Sequence, residues 1–235
     1  CIQIVVGIFL CYACALVNTT LMALSDLASE QSLRIEKTLD KIKKLLNYLA
    51  THPDAKIRYY ESEMILQVHS DGSYLSAPKS RSRSGGFFFL SGNPIHPNQA
   101  ILNGAIHVVC KILKNVMSSA AEVEIASAYI NCQDAIPIRN TLIELNHPQP
   151  PTPAQVDNTT AVGFINKEIK QKRTKSIDMR FYWLQDREAQ NQFNTHWKPG
   201  EGNLANCFTK HFAPSYHSKV RPVHLYDRRQ KYGLC

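Results

Sequence analysis

The sequence predicts an α/β fold, a mixed β-sheet in which a three-strand antiparallel meander is followed by alternating strands and helices, with a helical appendage at the N-terminal side. Three observations predict it. Apolar runs of strand length come three in succession between residues 64 and 110. A helix-start signal then opens a long helical pattern at Ser119. Short strand and helix patterns alternate from there to about residue 212, giving the order β β β α β α α β α from Met64. A meander followed by crossover connections makes a sheet with an antiparallel and a parallel part.

Composition agrees with a folded chain. Of 235 residues 44% are apolar and 20% charged, a balance unlike that of disordered chains, and the length suits one core plus an appendage. Ten Gly and 12 Pro without a period exclude collagen-like and low-complexity arrays. With 27 Lys+Arg against 19 Asp+Glu the formal charge is +8, so a polyanion is the first partner to consider.

The first segment, residues 2–17 (IQIVVGIFLCYACALV), is the most apolar. It falls short of the roughly 20 residues a membrane span needs, and no basic residue precedes it as in a signal peptide, so a buried helix is expected and no membrane. The chain opens at Cys1 rather than Met, and an excised or truncated segment is the expectation. Seven scattered cysteines do not make a secreted disulfide framework, which points to an intracellular, non-secreted chain. Cys11 and Cys14 form a CxxC without the second ligand pair of a zinc site, and read as buried free thiols.

From Ile35 the apolar positions Ile35, Leu39, Ile42, Leu46 and Leu49 mark an amphipathic helix ending near His52-Pro53. Residues 55–71 turn to β, with Leu66, Val68 and Ser70 on one face and Ile65, Gln67, His69 and Asp71 on the other. The second strand is the run 86–90 (GFFFL), stopped by Ser91-Gly92-Asn93-Pro94, and the third is 104–110 (GAIHVVC). Ser119-Ala120-Ala121-Glu122 matches a capping box, and Ile125, Tyr129, Cys132 and Ile136 follow at helical spacing, with a kink expected at Pro137.

Past the Pro-rich link 147–153, a short strand is expected at 154–157 and a helix start at Asn158-Thr159-Thr160-Ala161. The basic stretch 167–175 leads to a helix at 178–189, a strand at 192–197, a loop at 198–202 and a last helix at 204–212. Tyr182, Trp183 and Trp197 lie within patterned elements and read as core. The basic tail 217–235 reads as flexible.

Acidic residues fall at the places where a sheet of this kind carries its ligands: Asp71 on the first strand, Glu122 and Glu124 in the opening turns of the helix, and Asp157 at the end of the fourth strand. Two divalent ions need several carboxylates converging from different elements. His69, His196 and His211 show no zinc-ligand spacing, and Ser118 and Ser119 read as cap residues before nucleophiles.

At these residues the chain resembles the C-terminal part of the Pol polyprotein of copia-type LTR retrotransposons, the end of the reverse transcriptase followed by its ribonuclease H domain. The matching stretches are HSDGSYLS at 69–76, SSAAEVE at 118–124, VDNTT at 156–160, DMRFYWLQD at 178–186 and LANCFTK at 204–210, in the family's order and spacing. The resemblance implies a remnant of the polymerase thumb and connecting helices over 1–60, a ribonuclease H-like domain over 64–213 and a tail over 214–235. Polymerase motifs are absent.

The implied activity is cleavage of the RNA strand of an RNA/DNA hybrid with two Mg²⁺ ions, Mn²⁺ being the alternative. Asp71 matches the family's first-strand aspartate and Asp157 its fourth-strand aspartate. The helix carboxylate is assigned to Glu124, with Glu122 as the alternative because the capping box can occupy it. The implied partners are the hybrid and the polymerase part of the same polyprotein. The implied location is a cytoplasmic particle, with the nucleus as the other compartment. Lys167, Lys170, Lys172, Arg173 and Lys175 are candidates for phosphate contact.

Two positions depart from the family. Gly72 stands where the family more often has Ala or another residue, and Asn206 stands where the family carries the fourth aspartate before Thr209-Lys210. An asparagine offers one neutral oxygen and no charge, so one ion would be held more weakly. Two readings follow, a nuclease weakened at Asn206 and a catalytically inactive, nucleic-acid-binding remnant. A third, an integrase or transposase core, lacks the order of motifs found here.

Overall fold

The computed structural model describes residues 2–31, 36–92, 102–168 and 178–226. The chain divides into two units, Cys1–Tyr59 with His211–Cys235, and Tyr60–Lys210.

In the first unit, helices α1 (Ile2–Ala15) and α2 (Leu21–Ser29) are joined by a 3-10 turn, and α3 (Glu36–Thr51) and α7 (Pro214–His224) complete it. The apolar segment is helical as expected, but it is not buried all round. Only Val6 and Ala13 of α1 are buried, while Ile4, Ile8 and Leu10 are exposed. Cys11 and Cys14 are exposed as well, against the expectation of buried thiols. A helix that is apolar on every side has no stripe to announce which side is covered, and here one narrow line is.

Helix α3 buries Thr38, Ile42 and Leu45, a line one residue off the expected one, so that Leu39 and Leu46 face outward. Thr38 is drawn in by a hydrogen bond to Glu30. Residues 214–224, expected as flexible tail, form α7, with Pro214 at its start where a missing N–H costs nothing. Arg221 Nε donates to Tyr48 Oη at 2.9 Å, Tyr226 N–H to Lys56 O at 2.7 Å, and Leu225 joins Val17 and Ala55 in a small core. Among the described residues no helix is long and apolar enough to cross a membrane.

The second unit holds the mixed sheet, an antiparallel meander followed by parallel strands, that the sequence led us to expect. Its strands are β1 (Ile65–Ala77), β2 (Arg81–Ser91), β3 (Ala105–Ile112), β4 (Thr152–Val156) and β5 (Phe193–Trp197), in the order β3-β2-β1-β4-β5. The meander β1-β2-β3 is antiparallel, and β1, β4 and β5 run parallel. Helices α4 (Ala120–Glu144), α5 (Thr159–Ile165) and α6 (Asp178–Ala189) pack on one face. There Leu66, Val68, Phe88 and Val109 of the sheet meet Ile125, Ala128, Cys132, Phe181 and Leu184.

The other face of β2 carries Phe87 and Phe89, with Phe208 stacked on Phe87 at 6.4 Å. Phe208 belongs to a 3-10 turn, Leu204–Phe208, where an α-helix was expected. Because both faces of β1 and β2 are covered, their burial is nearly continuous rather than alternating.

Local chemistry sets the helix ends. Helix α4 begins at Ser119, whose Oγ accepts the Glu122 N–H at 3.2 Å. Helices α4, α5 and α6 each end with a residue at positive φ, Asn146, Lys167 and Asn191. In each, the following N–H reaches back to close the last turn, as His147 N–H does to Leu142 O at 2.9 Å.

Candidate metal centre

Asp71 lies on β1 with its side chain fully buried. The parallel register pairs Val68 with Ala154 and His69 with Gln155. Continued two residues along both strands, it brings Asp157, just past β4, level with Asp71, which lies midway along β1. Glu124 comes from the first turns of α4. That helix is fixed to the sheet by a buried polar network one turn further on. Ser127 Oγ donates to Asp71 O at 2.6 Å, and Asn131 Nδ2 donates to Ser70 Oγ and to Gly85 O, each at 2.8 Å. A close approach of helix and strand is thereby set, and Gly72 permits it. A Cβ on Gly72 would stand 2.9 Å from Val123 Cγ1 and 3.0 Å from Val123 O.

These elements bring Asp71, Glu124 and Asp157 together, with one oxygen of each lying within 4.8 Å of the others. Among the described residues this is the group able to hold a metal, and His69, His196 and His211 take no part in it. Glu122 points elsewhere. Its Oε2 accepts the N–H and the Oγ–H of Ser118, both at 2.6 Å, closing the helix start.

Asp71 is engaged from the other side by the residues after the 3-10 turn. Thr209 Oγ1 donates to Asp71 Oδ2, and Lys210 Nζ donates to Asp71 Oδ1 at 3.2 Å. The same Nζ donates to Asn206 Oδ1 at 2.8 Å, while Asn206 Nδ2 donates to Gly200 O at 2.5 Å. The turn is pinned to β1 by two residues that the sequence did not flag for this role. Asn203 caps it, Oδ1 accepting the Ala205 N–H at 3.0 Å, and donates Nδ2 to Ser70 O at 2.7 Å. His69 Nδ1 accepts the Leu204 N–H at 3.2 Å, which fixes the tautomer with hydrogen on Nε2. Gly85 leaves room for the turn, since a Cβ there would stand 2.7 Å from Ala205 O.

The electrostatics are those of crowded carboxylates away from water. Glu124 is pushed up to about 10, first by burial and then by the charges of Asp71 and Asp157. Asp71 is also raised, by burial, against the opposing pull of the Lys210 ammonium and the Thr209 hydroxyl. Glu124 Oε2 is buried with no hydrogen-bond partner. A buried carboxylate oxygen without a donor is costly, and a cation is what would satisfy it. An all-oxygen set of this kind fits a hard divalent cation. Cys207 nearby is pushed up to about 12 by burial and by Asp71, so it is a neutral thiol at pH 7.

Of the basic candidates, Lys167 is exposed and closes α5 at a φ of 63°. Lys170, Lys172, Arg173 and Lys175 lie outside the described residues. Two aromatic expectations are corrected. Trp183 packs against the core, but Tyr182 is 63% exposed because the buried line of α6 runs through Phe181 and Leu184. Trp197 is 46% exposed at the end of β5, the edge strand, where its Nε1 donates to Asp157 O at 3.1 Å.

No protein-family model matches the chain, and no curated protein matches it significantly. Solved structures are similar to it. The N-terminal RNase H domain of a Mycobacterium tuberculosis protein, solved as a fusion with maltose-binding protein, aligns over 67% of this chain and 96% of that one, at 11% identity and a TM-score of 0.45. LC11-RNase H1, isolated from compost by a metagenomic approach, aligns over 62% of this chain and 92% of that one, at 11% identity and a TM-score of 0.46. The protease-reverse transcriptase of prototype foamy virus aligns over 64% of this chain and 21% of that one, at 18% identity and a TM-score of 0.43.

Proposed function

We propose that this chain is a ribonuclease H domain of a copia-type retrotransposon reverse transcriptase, hydrolysing the RNA strand of RNA/DNA hybrids with divalent metal ions. The observation that carries the reading is the convergence of Asp71, Glu124 and Asp157, from three separate elements, around a buried carboxylate oxygen of Glu124 that has no donor. These three side chains would hold Mg²⁺, with Mn²⁺ able to replace it. Bound there, a divalent ion would activate a water and stabilise the leaving oxygen of a phosphodiester. The chain's own contribution is position: the Ser127–Asn131 network fixes α4 against β1, and Thr209 orients the Asp71 carboxylate.

In this reading the basic stretch 167–175 tracks the phosphates of the hybrid, the polymerase part of the same polyprotein is the natural partner, and the setting is a cytoplasmic particle. A second reading, an inactive hybrid-binding remnant, is favoured by one observation: position 206 is a neutral amide whose oxygen is already bound to Lys210. Cleavage of a labelled RNA strand in an RNA/DNA hybrid with Mg²⁺ tests both. The parent is expected to cut, Asp71→Asn to be silent, and Asn206→Asp to cut faster. Hybrid binding at low salt without cleavage by the parent or by Asn206→Asp would replace the first reading by the second.

A further inference from the structure

The unit of Cys1–Tyr59 and His211–Cys235 gathers basic side chains around one tyrosine. Tyr48, on α3, accepts Arg221 Nε at its hydroxyl at 2.9 Å. The His217 ring meets the Tyr48 ring edge-on at a centroid distance of 5.6 Å, and the His52 ring lies 4.7 Å from it on another side. Both imidazoles are held in place by backbone. His52 Nδ1 donates to Tyr48 O at 3.0 Å, and His217 is hydrogen-bonded to the Thr19 carbonyl. Tyr48, His52, His217 and Arg221 are all half-buried, so each keeps a part in reach of solvent.

Nothing negative balances this group. Among the described residues Arg221 enters no ion pair. A tie between α3 and α7 accounts for its Nε and leaves the two Nη groups, a planar edge suited to two oxygens of one anion. His217 feels Arg221 and His224 of α7 and His52 of α3, none of them a carboxylate. Burial first, and then Arg221 and His52, hold the His217 imidazole below its usual range. Basic groups crowded until one gives up its charge are what an incoming anion would relieve.

The shape selects among anions. A guanidinium edge can bind two oxygens of a tetrahedral anion and leave the others for imidazole N–H groups coming from a second helix. A carboxylate has only two oxygens and would leave the histidines unused. We propose that Arg221, His217 and His52, arranged around Tyr48, bind a phosphate group. The site lies in the other unit from the carboxylates of the metal centre and does not depend on their role. His217 becomes an imidazolium as the anion enters. It then faces Tyr48 and His52 on α3, Arg221 and His224 on α7 and the Thr19 carbonyl, with the phosphate supplying the negative charge that none of these carries.

The test follows the histidine rings of the full-length, ¹⁵N-labelled protein by NMR. Inorganic phosphate is expected to shift His217 and His52 saturably and to raise the pKa of His217, where chloride at the same ionic strength does neither. A thymidine dinucleotide separates the sources of the ligand. Saturation by the dinucleotide as well assigns the site to a nucleic-acid backbone, and saturation by phosphate alone assigns it to a free phosphate group. Sulfate, whose charge is constant between pH 7.5 and 6, is expected to bind up to about tenfold more tightly at pH 6, because the imidazolium forms with it. Arg221→Gln is expected to weaken phosphate binding roughly tenfold or more, with circular dichroism to check the fold. Should loss of the Tyr48 bond unfold that variant, His52→Gln, whose ring nitrogen bonds only within its own helix end, is expected to weaken binding severalfold. Ring shifts no larger with phosphate than with chloride, or a folded variant that binds phosphate as the parent does, would overturn the site.

Discussion

Glu124 carries a carboxyl that burial and the charges of Asp71 and Asp157 push up to about 10, so without a cation it is a neutral acid at pH 7. The unfolded chain ionises it near its ordinary value of 4.5. Its folded value is raised, so the stability it contributes is full below pH 4.5 and is lost as pH rises toward 10. Glu124→Gln removes that loss at nearly constant shape. In EDTA the variant is expected to be more stable than the parent by about 1–3 kcal/mol at pH 8 and no more stable at pH 4.5, by urea unfolding. Mg²⁺ is expected to stabilise the parent and not the variant. A variant less stable than the parent in EDTA at pH 8 would refute this account of the strain. At this scale the sequence was legible where a local signal marks a residue: Asp71 on a strand, Glu122 in a cap, Asp157 at a strand end. Lys210, Asn203 and His69 were not legible in their observed roles, because the contacts that define them join residues 139, 133 and 135 positions apart.

Among the elements, the contact of α4 with β1 decides whether Glu124 reaches Asp71 at all. At Gly72 that contact is too close for a side chain, since a Cβ there would stand 3.0 Å from the Val123 backbone. Gly72 is therefore a packing requirement of this chain. Gly72→Ala is expected to cost about 1–3 kcal/mol and to weaken Mn²⁺ binding, since the helix must retreat from the strand and carries Glu124 with it. Thermal unfolding and Mn²⁺ titration read the two effects, and a variant as stable as the parent would show that α4 yields at no cost. Element type was largely legible because turn residues punctuate the chain: β3, β4, β5, the Ser119 cap and the α6 span stand close to where the sequence put them, whereas β1, expected over 55–71, runs Ile65–Ala77 and β2, expected over 86–90, runs Arg81–Ser91. Three features were not. Helix α1 is apolar all round, so nothing in its pattern told Val6 from Ile4. Asn203 as a cap produced a 3-10 turn of five residues at Leu204–Phe208, too short for helical periodicity to separate from an α-helix. Trp197 and Tyr182 were read as core from their neighbours, yet one ends an edge strand and the other lies off the buried line of its helix.

Taken whole, the molecule joins two units whose buried titratable groups respond to acid with opposite sign. In the unit of Cys1–Tyr59 and His211–Cys235, His224 is fully buried and its pKa falls to about 4, because burial, and next the nearby His217, disfavours the imidazolium. Its folded value lies below the unfolded 6.5, so the neutral form's contribution is present above pH 6.5 and is lost as pH falls to about 4, up to about 3 kcal/mol. His217 is lowered as well, by burial first, and adds to the same slope. In Tyr60–Lys210 the metal-free carboxyls of Glu124 and Asp71 are raised, so that unit gains stability over the same fall, partly offset by His196, which burial keeps neutral. Scanning calorimetry of the full chain in EDTA is therefore expected to show two transitions that move apart between pH 6.5 and 4.5, the histidine-bearing unit melting earlier as pH drops. Hydrogen exchange assigns each transition to its unit. His224→Leu removes the buried base without adding charge, and it is expected to flatten the acid slope of the first transition while leaving the second unchanged. If both transitions fall together in the parent, or if His224→Leu keeps the slope, the buried histidine is not what couples this unit to pH.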